Sequence, residues 1–182
     1  GLGSSSTVTV GTLQALYTHL GEIVSKERLA KEACEIEIEK LGKPIGIQDQ
    51  YIASYGSLRF FEFCTDGHVR AESVPLDANL RREFNDRFLL FFTGISRRAD
   101  TVLTEQKSNI KDRMNVLRDI KQIAYQAKSE LQNGQLDSFG SLLHHTWELK
   151  KRMAGRISNG AIDEIYDAAR NAGAVGGKIT GA

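Results

Sequence analysis

One tight turn sets the plan of this chain. Thr65-Asp66-Gly67 carries the Asp-Gly signature of a β-hairpin, with SLRFFEFC before it and HVRAESVPL after it. On either side the pattern is mainly helical, from Thr7 to Leu41 and again from Ala99 to about Ala172. Strands and helices are segregated rather than alternating, which predicts an α+β fold. A chain of 182 residues can build one core or two small lobes, and the best boundary lies between Cys64 and Asp86.

Residues 7–20 carry Val8, Val10, Leu13, Leu16, Tyr17 and Leu20 among small polar residues, which predicts a helix apolar nearly all round and buried. Ser25 is placed to cap a second helix that Gly42 ends. KPIGIQDQYIASYG, residues 43–56, starts as a loop and contains a short helix. RFLLFFTGI is almost wholly apolar and reads as a strand buried on both faces. The C-terminal helical stretch breaks near Asn133-Gly134 and again from Gly155 to Asn159, and GGKITGA reads as a glycine-led strand.

A net charge of +1 gives no electrostatic footing for nucleic acid or an anionic membrane. No run reaches the ~18 apolar residues of a membrane span. Cys34 and Cys64 lack the spacing of a metal site or a disulfide framework. These features predict a cytoplasmic protein and leave its oligomeric state open.

The second helix contains a misplaced acid. Advancing ~100° per residue from Leu29 gathers Ala30, Ala33, Cys34 and Leu41 on one face and Glu32, Glu35 and Glu39 on another. Glu37 falls in the middle of the apolar face. A carboxylate there is costly unless something satisfies it. Either it pairs with an arginine or a backbone group, or it is the oxygen ligand of a hard cation such as Mg²⁺.

Two other stretches carry related chemistry. GLGSSS, Gly1 to Ser6, puts backbone amides at a helix N-terminus, where the dipole favours a phosphate, or it merely caps that helix. It is no Walker loop, because no Gly-Lys-Ser/Thr follows. GIQDQY sets Asp49 between two amides that can hold a carboxylate without neutralising it, unless Asp49 is the cap of the short helix. Arg97 in TGISRRAD is either a phosphate-facing guanidinium or a surface charge at a helix start. His144 and His145, beside Trp147, read as core-edge histidines or as substrate contacts.

Together these stretches resemble the GHMP kinases. GLGSSS is similar to that family's second motif, Gly-Leu-x-Ser-Ser-Ala, with Ser6 in place of the alanine. GGKITGA is similar to the start of its third motif. The resemblance implies a two-lobed fold: an N-terminal lobe of the ribosomal protein S5 domain 2-like type, here incomplete, within residues 1–85, and an α+β ferredoxin-like C-terminal lobe at 86–182. It implies ATP and Mg²⁺ as cofactors, with Gly1, Leu2, Gly3, Ser4, Ser5 and Ser6 at the phosphates. It further implies Ser5 and Glu37 as metal ligands and Asp49 as the catalytic carboxylate.

Within the family, GIQDQYIASYGSLRFFEF, FTGISRRADTVLTEQ and ISNGAIDEIYDAARNAGAVGGKITGA are similar to heptose-7-phosphate kinases. That resemblance implies phosphorylation of an anomeric hydroxyl on a sugar phosphate, with Tyr55, Gly56 and Arg97 near the sugar. The alternatives are a fucose- or galactose-type kinase, or a non-catalytic relative that binds sugar or ATP. Ser57 departs from the family, which usually shows a second glycine after Tyr-Gly. The family's first strands and its full glycine run have no counterpart here, so the chain is expected to be a piece of a kinase and inactive alone.

Overall fold

The structure is a computed structural model that describes residues 3–95, 99–155 and 157–180. The chain divides into two compact units, one ending at Ser73 and the other starting at Val74. The architecture is α+β, with helices on both sides of one small antiparallel sheet in chain order.

In the first unit, helix α1 (Ser4–His19), helix α2 (Lys26–Cys34) and helix α3 (Gln48–Tyr55) pack on one another. Ser25 caps α2 through Arg28 N–H at 3.1 Å, as its sequence predicts. From Glu35 to Lys40 the helix widens into a π-helical turn, in which Leu41 N–H reaches back five residues to Ile36. Gly42, at φ +64°, ends it, and Lys43 N–H closes on the Glu37 carbonyl at 3.1 Å. The predicted burial of α1 is not found. Only Ser6 and Val10 are buried, while Val8, Leu16 and Leu20 face solvent, because α2 and α3 cover a single side of it.

Strand β1 (Arg59–Phe63) and strand β2 (Val69–Ser73) form the predicted hairpin, with Arg59 opposite Ser73 and Phe63 opposite Val69. Gly67, at φ +84°, makes the turn, and Cys64 N–H bonds to the His68 carbonyl. Phe61 and Phe63 set their rings edge-on to buried Tyr51, which seats the hairpin on α3.

The second unit holds α4 (Ala78–Arg87), α5 (Ala99–Ser108), α6 (Met114–Gln132), α7 (Leu136–Lys151) and α8 (Gly160–Asn171). Trp147, Met153 and Ile157 are its most deeply buried large side chains, joined by Val102, Val116, Ile123, Leu149 and Ile162. The helix breaks fall where Asn133-Gly134 and Gly155 to Asn159 predict them. Two predicted strands do not form among the described residues. RFLLFFTGI begins on the last residue of α4 and then runs on without regular structure, with Leu89, Leu90, Phe91 and Phe92 exposed. The described part of GGKITGA is irregular as well. Its Gly176 lies so close to Gly140 that a Cβ there would stand 1.9 Å from the Gly140 carbonyl oxygen. A strand needs a neighbouring strand to bond, and among the described residues neither segment pairs with one.

Candidate functional site

Glu37 is the most telling residue of the first unit, because it is charged and yet fully buried. Ser6 Oγ and Gln50 Nε2 each donate to Glu37 Oε2 at 2.7 Å. Lys43 Nζ approaches the other oxygen, Oε1, at 3.3 Å. The Ser5 hydroxyl adds a further hydrogen bond. Burial pushes the Glu37 carboxyl up, but the bonds from Ser6, Ser5, Gln50 and Lys43 outweigh it and hold the group below the usual carboxylate value. The site keeps an ionised carboxylate away from water.

Each partner is delivered by local structure. Ser5 and Ser6 lie in the first turn of α1, whose N-cap is Gly3 at φ +68° with no side-chain cap. The serines are therefore not used as helix caps. Lys43 reaches Glu37 because the Gly42 turn folds the chain back over the end of the π-helical stretch. Gln50 comes from the first turn of α3, which packs along both α1 and α2.

Asp49 is one residue before Gln50 and is exposed. Ile47 holds the N-cap position of α3, so Asp49 does not cap that helix. It borders the glycine-serine turn instead, since a Cβ on Gly3 would meet Asp49 Cγ and Oδ2 at 3.5 Å. Gly3, Ser5, Ser6, Glu37 and Asp49 thus gather around one corner of the unit. Its inner wall is the ionised Glu37 and its rim is Asp49.

The sequence missed Lys43 and misassigned Gln50. Of the two amides beside Asp49, the one at position 50 turns inward and holds Glu37. The signal for Lys43 was Gly42: a left-handed glycine after a helix sends the next residue back over the last turn.

Tyr55 and Gly56 are at the opposite end of α3, about 9 Å along its axis from Asp49. Tyr55 stacks on Tyr51 and meets Phe61 edge-on, and its carbonyl accepts from Lys26 Nζ at 3.0 Å. The corner does not include them. Gly1, Leu2 and Arg97 lie outside the described residues. In the second unit, His144 Nδ1 is 2.6 Å from Tyr166 Oη at the edge of the core, and His145 is exposed. Among the described residues no three His, Cys, Asp or Glu side chains gather into a metal cluster, and no helix is long and apolar enough to cross a membrane.

Comparison with known proteins adds a family. The profile of the GHMP kinases N terminal domain matches residues 1–57, and that of the GHMP kinases C terminal region matches residues 127–182. The chain is 33% identical to a D-glycero-alpha-D-manno-heptose 7-phosphate kinase of Campylobacter jejuni, over 100% of this chain and 54% of that enzyme. It is 28% identical to an L-fucokinase/L-fucose-1-P guanylyltransferase of Bacteroides fragilis, over 92% of this chain and 18% of that protein. The crystal structure of a D-glycero-D-manno-heptose 1-phosphate kinase from Bacteroides thetaiotaomicron superposes with a TM-score of 0.77 at 29% identity, covering 100% of this chain and 50% of the other. The chain spans about half the length of the heptose kinases it matches.

Proposed function

This chain belongs to the GHMP kinase family, and we propose that it carries the phosphate- and metal-handling residues of an ATP-dependent sugar kinase. The acceptor in this reading is the anomeric hydroxyl of a heptose 7-phosphate, after the heptose kinases that the chain is similar to. The observation that carries it is the ionised, fully buried Glu37, bonded to Ser6 of the glycine-serine stretch and to Gln50, the neighbour of Asp49. The nucleotide and metal part, expected within residues 1–85, corresponds in this reading to the first unit, which ends at Ser73. The C-terminal lobe, expected at 86–182, corresponds to the second unit, which starts at Val74 and takes in all of α4.

Phosphoryl transfer asks for positioning and charge neutralisation more than for covalent chemistry. The amides of Gly3, Ser4, Ser5 and Ser6, with Gly1 and Leu2 ahead of them, would hold ATP phosphates at the positive end of α1. The donor set fits Mg²⁺: the carboxylate is ionised, the Ser5 and Ser6 hydroxyls beside it are hard oxygens, and the half-exposed Lys43 ammonium already sets a positive charge beside Oε1. Glu37 and Ser5 are the residues that would hold the ion, and Mg²⁺, when bound, neutralises phosphate charge. Asp49 would accept the proton of the sugar hydroxyl, or hold that hydroxyl in line. Arg97 is the proposed cation for the sugar phosphate.

A second reading, a fucose-type kinase, draws on the fucokinase relative. The test is product analysis by phosphorus NMR on the full-length protein that carries this stretch, offered ATP with heptose 7-phosphate, fucose or galactose. The proposal expects a 1,7-bisphosphate from the heptose. Turnover of fucose or galactose alone would favour the second reading. Turnover that survives Asp49→Asn undiminished would remove Asp49 from its role, because general-base help is worth about 10²–10⁴ in rate.

A further inference from the structure

Gln50 is fully buried, in a place where an uncharged polar side chain is costly unless it is bonded. Its Nε2 is committed to Glu37 Oε2 at 2.7 Å, and Ser6 Oγ shares that oxygen at the same distance. Lys43, much more exposed, is on Oε1 at 3.3 Å. Short, buried bonds therefore fix one oxygen of the carboxylate, and a longer contact to a displaceable cation marks the other. Among the described residues the amide's own Oε1 meets no hydrogen-bond partner, so the bond that orients Gln50 is the one to Glu37. Gln50 also directly follows Asp49 in the first turn of α3.

We infer that Gln50 is a positioning residue: it ties the helix bearing Asp49 to Glu37 and, with Ser6, fixes Oε2 so that Oε1 is presented to the divalent cation. This rests on the reading of Glu37 as a metal ligand. Gln50 acts through Glu37 and touches no reacting atom. An amide suits the position, because a carboxylate in its place would stand against Glu37, and two such groups must share a proton.

The test uses Mn²⁺ with ATP as the probe, titrated into the full chain and followed by electron paramagnetic resonance. Circular dichroism checks folding. Gln50→Ala is expected to weaken Mn²⁺ binding by about 10–100-fold, the usual cost of losing a group that orients a metal ligand. ATP affinity measured without metal should stay unchanged. The double variant Gln50→Ala/Glu37→Gln should bind no more weakly than Glu37→Gln alone. A folded Gln50→Ala that binds Mn²⁺ as well as the wild type overturns the inference, as do losses that add in full. The wild-type chain gives a second readout that does not depend on a variant folding. Mn²⁺ at Glu37 should broaden the Gln50 side-chain amide signal in a nitrogen-edited NMR spectrum, and an unaffected signal overturns the inference. Full Mn²⁺ affinity in Glu37→Gln, or none in the wild type, removes the ligand reading and this inference with it. Loss in Glu37→Gln but not in Gln50→Ala removes the inference alone.

Discussion

Ser6 Oγ donates to Glu37 Oε2 at 2.7 Å, a buried bond between residues 31 positions apart that fastens the start of α1 to the end of the second helix. A hydrogen bond to a buried charge contributes about 1.5–3 kcal/mol. Ser6→Ala gains a few tenths of that back in helix propensity. The expected net loss is therefore ~2 kcal/mol, read as a lower urea midpoint with an unchanged slope. A loss below ~0.5 kcal/mol would show that water replaces the hydroxyl.

Glu37 also sets a pH dependence. Burial raises its pKa, the four hydrogen bonds lower it, and the balance lies below the ordinary value of 4.5. A folded-state value under the unfolded one means stability that is fully present above the unfolded pKa. It is lost as the pH falls through the folded value. The wild type should therefore lose stability more steeply than Glu37→Gln between about pH 5 and pH 3. Urea midpoints across that range decide it. Parallel curves would mean the carboxyl titrates at its normal position.

The parts of this molecule written in local signals were legible. Ser25, Gly42 and Asp66-Gly67 act on neighbours a few residues away, and the cap, the helix end and the hairpin lie where they point. Glu37 was legible too, because the π-helical widening begins only two residues before it and hardly rotates it off the apolar face. Gln50 was not, since its nearest acid in sequence is Asp49 while its partner in space comes from another helix. RFLLFFTGI misled for a related reason. An apolar run reports that a strand can be buried, and says nothing about whether a partner strand is there to bond it.

Ser57 has φ +62°, directly after Gly56 at +64°, and is the only non-glycine with positive φ among the described residues. A Cβ in this region costs roughly 1–2 kcal/mol, part of which glycine returns as unfolded-state entropy. Ser57→Gly is expected to stabilise the first unit by about 0.5–1 kcal/mol, with Ser57→Ala close to neutral. Thermal unfolding of the pair is the check. Lower stability in the glycine variant would mean that the hydroxyl of Ser57 makes a bond worth more than the strain.

Cys34 offers an independent gauge of the charge on Glu37. Desolvation pushes its thiol up first, and the negative Glu37 adds to it, to a pKa of about 11. Alkylation requires the thiolate, so at pH 8 Cys34 should react with iodoacetamide far more slowly than an ordinary exposed thiol. In a Cys64→Ser background the only thiol is Cys34, and its rate can be followed against pH. Glu37→Gln removes the charge and leaves the burial, so the apparent pKa should fall and the rate at pH 8 should rise. Glu35→Gln is the control, because that carboxylate is exposed and contributes nothing to the Cys34 shift. Equal profiles for the wild type and Glu37→Gln would mean that Glu37 is neutral in the folded chain. An uncharged Glu37 would present no anion to a cation, and the metal reading of the corner would fall with it.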